Sequence, residues 1–227
     1  LVPIPCVTML TSADISYRIE NSTAKAVVTT AENTGKVSKN YDLDLRLSVG
    51  PSDGWLDLFP AIEDQTCAFE APRVDAEDPA ILYYTSGSSG KPKGVLHASR
   101  AIFTWRVSAW YWLNLTDHDV MWCTADTGWA KAGTSILFGP WSTGSTVLFY
   151  DGPFDPTHRF RLLTTYGVTV FCAAATELRK LIQENVNEYD FRHLRLTVSA
   201  GESVNPEIVS QWREITGGLL LDGYGQT

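Results

Sequence analysis

An α/β fold, with βαβ layers and a largely parallel sheet covered by helices, is what this sequence predicts. Three observations point to it. Short apolar runs alternate with segments whose apolar residues recur at helical spacing, from Ile81 to the end of the chain. Helix punctuation falls between them: Asn205-Pro206 reads as an N-cap followed by proline in the first turn, and Gly217-Gly218 as a stop. The residues least typical of packing gather just after strand patterns, where parallel sheets bind ligands.

In chain order, Ser12 is placed to cap a helix carrying Ile15 and Ile19, and Lys25–Thr29 reads as a strand. The stretch 33–79 is loop-rich, broken by Gly35, Gly50-Pro51, Asp53-Gly54 and Asp78-Pro79. Residues 1–79 are therefore assigned as a lead-in subregion, and residues 80–227 as the regular part. There, Ile81–Tyr84 is a short strand, and a Gly/Ser/Lys loop follows. Ser99 precedes a long helix through Ile102, Trp105, Ala109 and Trp112. Strands then fall at Val120–Cys123, Thr146–Tyr150, Val168–Cys172 and Leu194–Val198, with a last one from Leu219. Helices between them lie near 130–138 and 156–165, around Leu178, Leu181 and Ile182, and from Pro206 through Ile208, Trp212 and Ile215.

Composition narrows the partners. Of 227 residues, 44% are hydrophobic and 19% charged, a globular balance, and the net charge is −8. An acidic chain is a poor match to nucleic acid or an anionic membrane, although it leaves room for a small anion held by local donors. No apolar run reaches the length of a membrane span. The four cysteines, Cys6, Cys67, Cys123 and Cys172, form no C-x-x-C pair and read as reduced, mostly buried thiols. The histidines His97, His118, His158 and His193 have no metal-ligand spacing, so no metal-ligating residue is assigned. The sequons at Asn21 and Asn114 are short and have no secretory context.

Three loops carry chemistry. In Tyr84-Thr85-Ser86-Gly87-Ser88-Ser89-Gly90-Lys91-Pro92-Lys93-Gly94, hydroxyls, glycines and two lysines follow a strand. Glycines let backbone N–H groups approach an anion, and lysines add charge, which suits a polyphosphate. By composition the stretch fits a polar flexible loop equally well. The strand before it and the helix after it favour the phosphate. It is not a Walker A loop, because the second glycine of that pattern would fall at Pro92. The second loop, Asp222-Gly223-Tyr224-Gly225-Gln226-Thr227, offers an aromatic ring for a purine and a carboxylate for hydrogen bonds. The third, Ala200-Gly201-Glu202-Ser203, is a strand-to-helix connection in which a glutamate near a helix start needs no function.

Taken in order, Thr85–Gly94 closely resembles the [ST]-[SG]-G-[ST]-[ST]-G-x-P-K-G signature of the adenylate-forming (ANL) superfamily. Asp222–Thr227 is similar to its adenine motif, and Gly201-Glu202-Ser203 to its second adenine-contacting turn. Asp126-Thr127-Gly128-Trp129 resembles a stretch of medium-chain acyl-CoA synthetases, the closest branch, as does Ala13–Arg18. The likeness spans about Ser12 to Thr227 and implies part of the large N-terminal domain of an AMP-forming synthetase.

The implied reaction joins a small-molecule carboxylic acid, medium-chain or aromatic, to CoA through acyl-AMP at the expense of ATP, with Mg2+. By the same resemblance Thr85, Ser86, Gly87, Ser88, Ser89, Gly90, Lys91, Pro92 and Lys93 bind the ATP phosphates. Gly201, Glu202, Ser203, Asp222, Gly223, Tyr224, Gly225, Gln226 and Thr227 bind the rest of the nucleotide. Lys93 and Thr227 act in catalysis, and Trp129, Ala173, Ala174, Ala175 and Gly225 line the acyl and CoA channel. Proline is missing from the Ala173–Ala175 stretch, a departure from the usual pocket wall. A Mg2+-binding glutamate after the adenine motif and a C-terminal domain with a catalytic lysine would complete such an enzyme. The 227 residues are expected to be a fragment without them, inactive alone. Adenylation for a carrier protein, or a non-catalytic nucleotide-binding remnant, are the other readings the residues allow. An intracellular location is expected, with cytoplasm, mitochondrion and peroxisome not distinguished and the oligomeric state open.

Overall fold

The computed structural model describes residues 1–63, 65–85, 90–133 and 137–227. It divides into two units, residues 8–74 and residues 1–7 with 75–227.

In the first unit, α1 (Ser12–Ser22) begins at Thr11 rather than Ser12. The Thr11 hydroxyl accepts the Asp14 N–H, and the Asp14 carboxylate accepts the Thr11 N–H. This reciprocal box satisfies two donors that a helix start otherwise leaves open. The Thr11 bonds also hold the Asp14 carboxyl below its ordinary range. β1 (Ala26–Thr30), β2 (Leu45–Val49) and β3 (Leu56–Asp57) form a parallel three-stranded sheet in that order. A 3-10 helix (Ala31–Lys36) and α2 (Leu58–Glu63) complete the unit. The stretch 33–79 is rich in loop, with β2, β3 and α2 as short elements inside it. Its breakers separate short elements, and β2 carries the alternation Leu45, Leu47, Val49 of a half-buried strand among turn residues.

In the second unit, β4 (Pro79–Thr85) pairs antiparallel with β5 (Lys93–Ala98). The phosphate motif therefore sits in a β-hairpin. The helix α3 (Arg100–Tyr111) follows β5 and does not follow the loop directly, which corrects the strand–loop–helix expectation. The pattern Val95-Leu96 was too short to be read as a strand.

A five-stranded sheet has the order β10-β9-β8-β6-β7, every neighbouring pair parallel. Its strands are β6 (Val120–Cys123), β7 (Thr146–Leu148), β8 (Val170–Cys172), β9 (Leu196–Ala200) and β10 (Leu219–Gly223). Between β6 and β7 lie α4 (Ala130–Ala132) and α5 (Phe138–Ser142), within and just beyond the helix predicted near 130–138, of which residues 134–136 lie outside the described residues. The crossovers α6 (Pro156–Thr165), α7 (Ala175–Leu181) and α8 (Pro206–Thr216) follow β7, β8 and β9. Asn205 caps α8 through the Glu207 N–H, and Gly217 ends it in the left-handed region.

Alternation along each strand feeds two cores. Met121, Cys123, Val170, Cys172, Leu196 and Val198 face α3 and α4, meeting Ala109, Leu113 and Ala132. Trp122, Phe171 and Leu220 face the other way, onto Phe160, Leu178, Ile208 and Trp212. From β6 the chain moves to β7 on one side, then returns past β6 to β8 and onward. Right-handed crossovers in opposite directions place helices on opposite faces, and the strand order reverses beside β6. The crevice at the carboxyl ends of β6 and β8 is where such sheets take ligands.

Candidate active site

The carboxyl ends of β6, β8, β9 and β10 lie along one edge, because Cys123 is in register with Cys172, Cys172 with Val198, and Ala200 with Gly223. Four of the predicted segments are therefore brought together: Asp126–Trp129, Ala173–Ala175, Gly201–Ser203 and Tyr224–Thr227. The segment after β6 is bent by Asp126, whose carboxylate accepts the Gly128 N–H at 2.8 Å and whose carbonyl accepts the Trp129 N–H at 3.1 Å. Trp129 is left 48% exposed on that edge. Lys131 then donates to the Ala200 carbonyl at 3.1 Å, tying this loop to the end of β9.

Gly128 is a glycine for a reason outside its own turn. A Cβ there would stand 2.1 Å from the Val7 nitrogen, so residues 1–7 pass directly over it. The same segment meets β4, where the Leu82 N–H donates to the Pro3 carbonyl.

Ala173 and Ala175 are buried among Phe171, Leu178 and Trp212, and Ala174 keeps partial exposure. Glu202 reaches across to α7, its carboxylate accepting the Thr176 N–H at 2.7 Å. Its connection at Gly201 turns with φ +103°, a region that glycine enters without cost. Asp222 accepts the Val204 N–H at 3.2 Å, which links the two adenine-motif loops. Tyr224 is exposed, its ring open to solvent, and Gly225, Gln226, Thr227 and Ser203 are exposed as well.

Gly223 and Gly225 differ. A Cβ on Gly223 would meet the Trp112 ring at 2.6 Å, so Trp112, just after α3, presses on the end of β10. Around Gly225 nothing in this chain lies within 4 Å of that position, and its φ is not positive.

In the hairpin, Thr85 stands opposite Lys93, and Gly90 has φ +102°. Lys91 and Lys93 are exposed. Ser86, Gly87, Ser88 and Ser89 lie outside the described residues. The hairpin is joined to α3 by a file of rings: Tyr83 meets His97 edge-on at 5.9 Å, His97 meets Trp105 at 5.5 Å, and Trp105 stacks on Phe138 at 5.4 Å. Burial raises the Tyr83 phenol above its ordinary range. His97 is thus part of the packing between the hairpin and α3.

Half of the cysteines are buried, not most of them. Cys123 and Cys172 lie side by side under the edge, while Cys6 and Cys67 are exposed. A hydrogen bond with Cys172, with burial, raises the Cys123 thiol well above its usual range.

Sequence reasoning missed one network. Glu177, in the first turn of α7, accepts from Arg159 Nε at 2.9 Å and from the Thr124 hydroxyl at 2.6 Å. The guanidinium lies over Trp122 at 5.2 Å and Tyr150 at 5.1 Å. Pairs this far apart in the chain leave no local pattern.

A parallel sheet whose strand order reverses, with four predicted segments at one carboxyl edge, defines an α/β domain of the ligand-binding kind. The sequence profile of the family described as AMP-binding enzyme matches residues 1–227, and the chain belongs to that family. It is 35% identical over 234 residues to human (Homo sapiens) acyl-coenzyme A synthetase ACSM3, mitochondrial, covering 100% of this chain and 40% of that protein. The chain thus spans less than half the length of that relative. Its fold matches the crystal structure of Brucella canis acyl-CoA synthetase with a TM-score of 0.89 at 26% identity, over 98% of this chain and 42% of that one. The anthranilate CoA ligase AuaEII, solved in complex with anthranoyl-AMP, aligns with a TM-score of 0.82 at 25% identity, over 97% and 44%. No helix among the described residues is long and apolar enough to cross a membrane.

Proposed function

We propose that the protein is an ATP-dependent, AMP-forming acid:CoA ligase for a medium-chain or aromatic carboxylic acid. The observation that carries this is the assembly, on one sheet edge, of both adenine-motif loops with the Trp129 loop, in a chain of the AMP-binding enzyme family. The likeness to an acyl-CoA synthetase and to an aromatic-acid CoA ligase supports the substrate class.

In the first half-reaction a carboxylate oxygen bonds to the α-phosphorus of ATP and the bond to pyrophosphate breaks. Negative charge moves onto the departing pyrophosphate. Lys91 and Lys93, with the hairpin's backbone donors, stabilise it there. Tyr224 stacks on adenine, Asp222 and the Gly201–Ser203 turn border the base, and Thr227 holds the α-phosphate. In the second half-reaction the CoA sulfur bonds to the acyl carbon and AMP leaves. Mg2+ is proposed as the counter-ion that enters with the ATP phosphates. Trp129, Ala174 and Gly225 border the acyl group. An intracellular compartment, mitochondrial as in the human relative's name, is proposed with it.

The test is acid-dependent exchange of pyrophosphate into ATP by the full-length protein, with octanoate and benzoate as acids and CoA consumption followed afterwards. Lys93→Ala should slow adenylate formation at least about tenfold, since a charge contact made in the transition state is worth over ~1.4 kcal/mol. Its melting temperature should stay near that of the unaltered protein, because an exposed lysine adds little to the core. An unaltered protein without acid-dependent exchange overturns the proposal, as does a Lys93→Ala protein that unfolds yet keeps its specific activity.

A further inference from the structure

We infer that Glu177 is a positioning residue that holds the acid-binding loop after β6 against α7, with Thr124 as its contact on that loop. The inference rests on the function proposed above and adds a residue to its specificity machinery.

The argument begins with desolvation. The side chains of Arg159 and Glu177 are 9% and 12% exposed, so this ion pair is nearly out of water. Burying two charges costs more than their attraction returns unless every remaining lone pair is used. Here they are used. Arg159 lies over the faces of Trp122 and Tyr150. One carboxylate oxygen of Glu177 takes the guanidinium and the other takes the Thr124 hydroxyl. A pair serving only to join α6 to α7 would not need that second oxygen aimed at Thr124.

Thr124 is the first residue after β6, and its N–H donates to the Cys172 carbonyl at 3.0 Å. Two residues later Asp126 starts the bend that presents Trp129. The neighbouring residue on α7, Thr176, gives its N–H to Glu202 of an adenine-motif turn. Consecutive residues of one helix turn thus hold the acid-side loop by a side chain and the nucleotide-side loop by the backbone. Removing the side chain should release the first and spare the second.

The experiment uses the full-length protein and two variants, Thr124→Val, which removes the Thr124–Glu177 bond, and Glu177→Gln, which takes the carboxylate charge from that bond and from the Arg159 pair. Each should raise KM for octanoate or benzoate about three- to tenfold, since a small displacement of a positioning loop is felt strongly at the reacting centre. KM for ATP should stay within about twofold, because the Glu202 contact is to backbone. The double variant should lose less than the sum of the two single ones, as for partners that share an interaction. Hydrogen exchange across residues 125–130 should quicken in Thr124→Val. A third protein, Arg159→Met with Glu177→Leu, replaces the ion pair by apolar volume and should regain thermal stability without regaining KM for the acid.

A Thr124→Val protein with unchanged acid KM and unchanged exchange overturns the inference and leaves the ligase reading intact. So does an Arg159→Met/Glu177→Leu protein whose acid KM returns with its stability, since the pair then serves only the fold. An unaltered protein that forms no acyl-adenylate overturns the ligase reading, and this inference with it.

Discussion

Gly225 shows how a single residue bears on substrate choice. Within this chain its Cβ position is open and its backbone is in an ordinary region, so no strain requires glycine there. Such a position accepts a side chain, and under the proposed function a glycine there would leave the acid side of the edge open. Each buried methylene is worth about 0.8 kcal/mol, roughly fourfold in affinity, so an open wall favours longer or aromatic acids over acetate. In acetyl-CoA synthetases the similar stretch resembles this one with tryptophan in place of Gly225. Gly225→Trp should therefore depress activity on octanoate and benzoate while sparing acetate and propionate, measured as kcat/KM ratios. Equal damage to all acids would mean that the indole disturbs Tyr224 and Thr227 instead.

Among the elements, the contact between α3 and β10 matters because β10 carries an adenine motif. Trp112 occupies the space that a Cβ on Gly223 would need, at 2.6 Å. The glycine is required by close approach, not by its dihedral angles. Gly223→Ala should destabilise the protein by about 1–3 kcal/mol, the usual cost of overpacking. It should also raise KM for ATP by moving Asp222 and Tyr224. Trp112→Ala in the same protein should recover much of both losses. Strict additivity of the two substitutions, read from denaturant unfolding, would show that the ring and the glycine do not act on each other. The Tyr83–His97–Trp105–Phe138 file works similarly at the hairpin, where two strands outside the main sheet need side chains to hold them to α3 and α5.

Across the main sheet, the two edges have different tasks. At the amino edge Asp119, just before β6, accepts from Arg195, from the Thr169 hydroxyl and from the Thr116 N–H. These groups belong to or flank β6, β8 and β9, so one carboxylate ties three strands together where no ligand loop lies. Burial raises the Asp119 carboxyl, but the bonds from Arg195, Thr169 and Thr116 outweigh it and hold the carboxyl below its ordinary range. A depressed carboxylate contributes stability above its unfolded value, near pH 3.9, and loses it as pH falls through the folded value. Asp119→Asn should cost about 1–3 kcal/mol at neutral pH, and the gap from the unaltered protein should close as pH drops below about 4. A gap independent of pH, in melting temperatures taken from pH 7 to pH 2.5, would show that geometry and not charge is responsible. With its strands tied at this edge, the carboxyl edge can hold exposed groups such as Trp129 and Tyr224, which add little to stability.

What the sequence by itself determined is local. A short apolar run set β6 at Val120–Cys123, Asp155-Pro156 and Asn205-Pro206 started α6 and α8, and Gly217 stopped α8, because caps and apolar runs are short-range physics. The motif Thr85–Gly94 was legible because an anion cradle needs glycine, hydroxyl and lysine close together in the chain. Two strands were missed: β2, whose short alternation lies among the breakers of the lead-in, and β5, whose strand is defined by its antiparallel partner β4. Tertiary structure alone decided that Gly128 lies under residues 1–7, that Gly223 faces Trp112 and that Glu202 caps α7 instead of the helix that follows it. It also decided that Thr124, Arg159 and Glu177 meet. Each of these joins residues distant in the chain, where the sheet's strand order and not sequence distance determines which groups come within hydrogen-bonding reach.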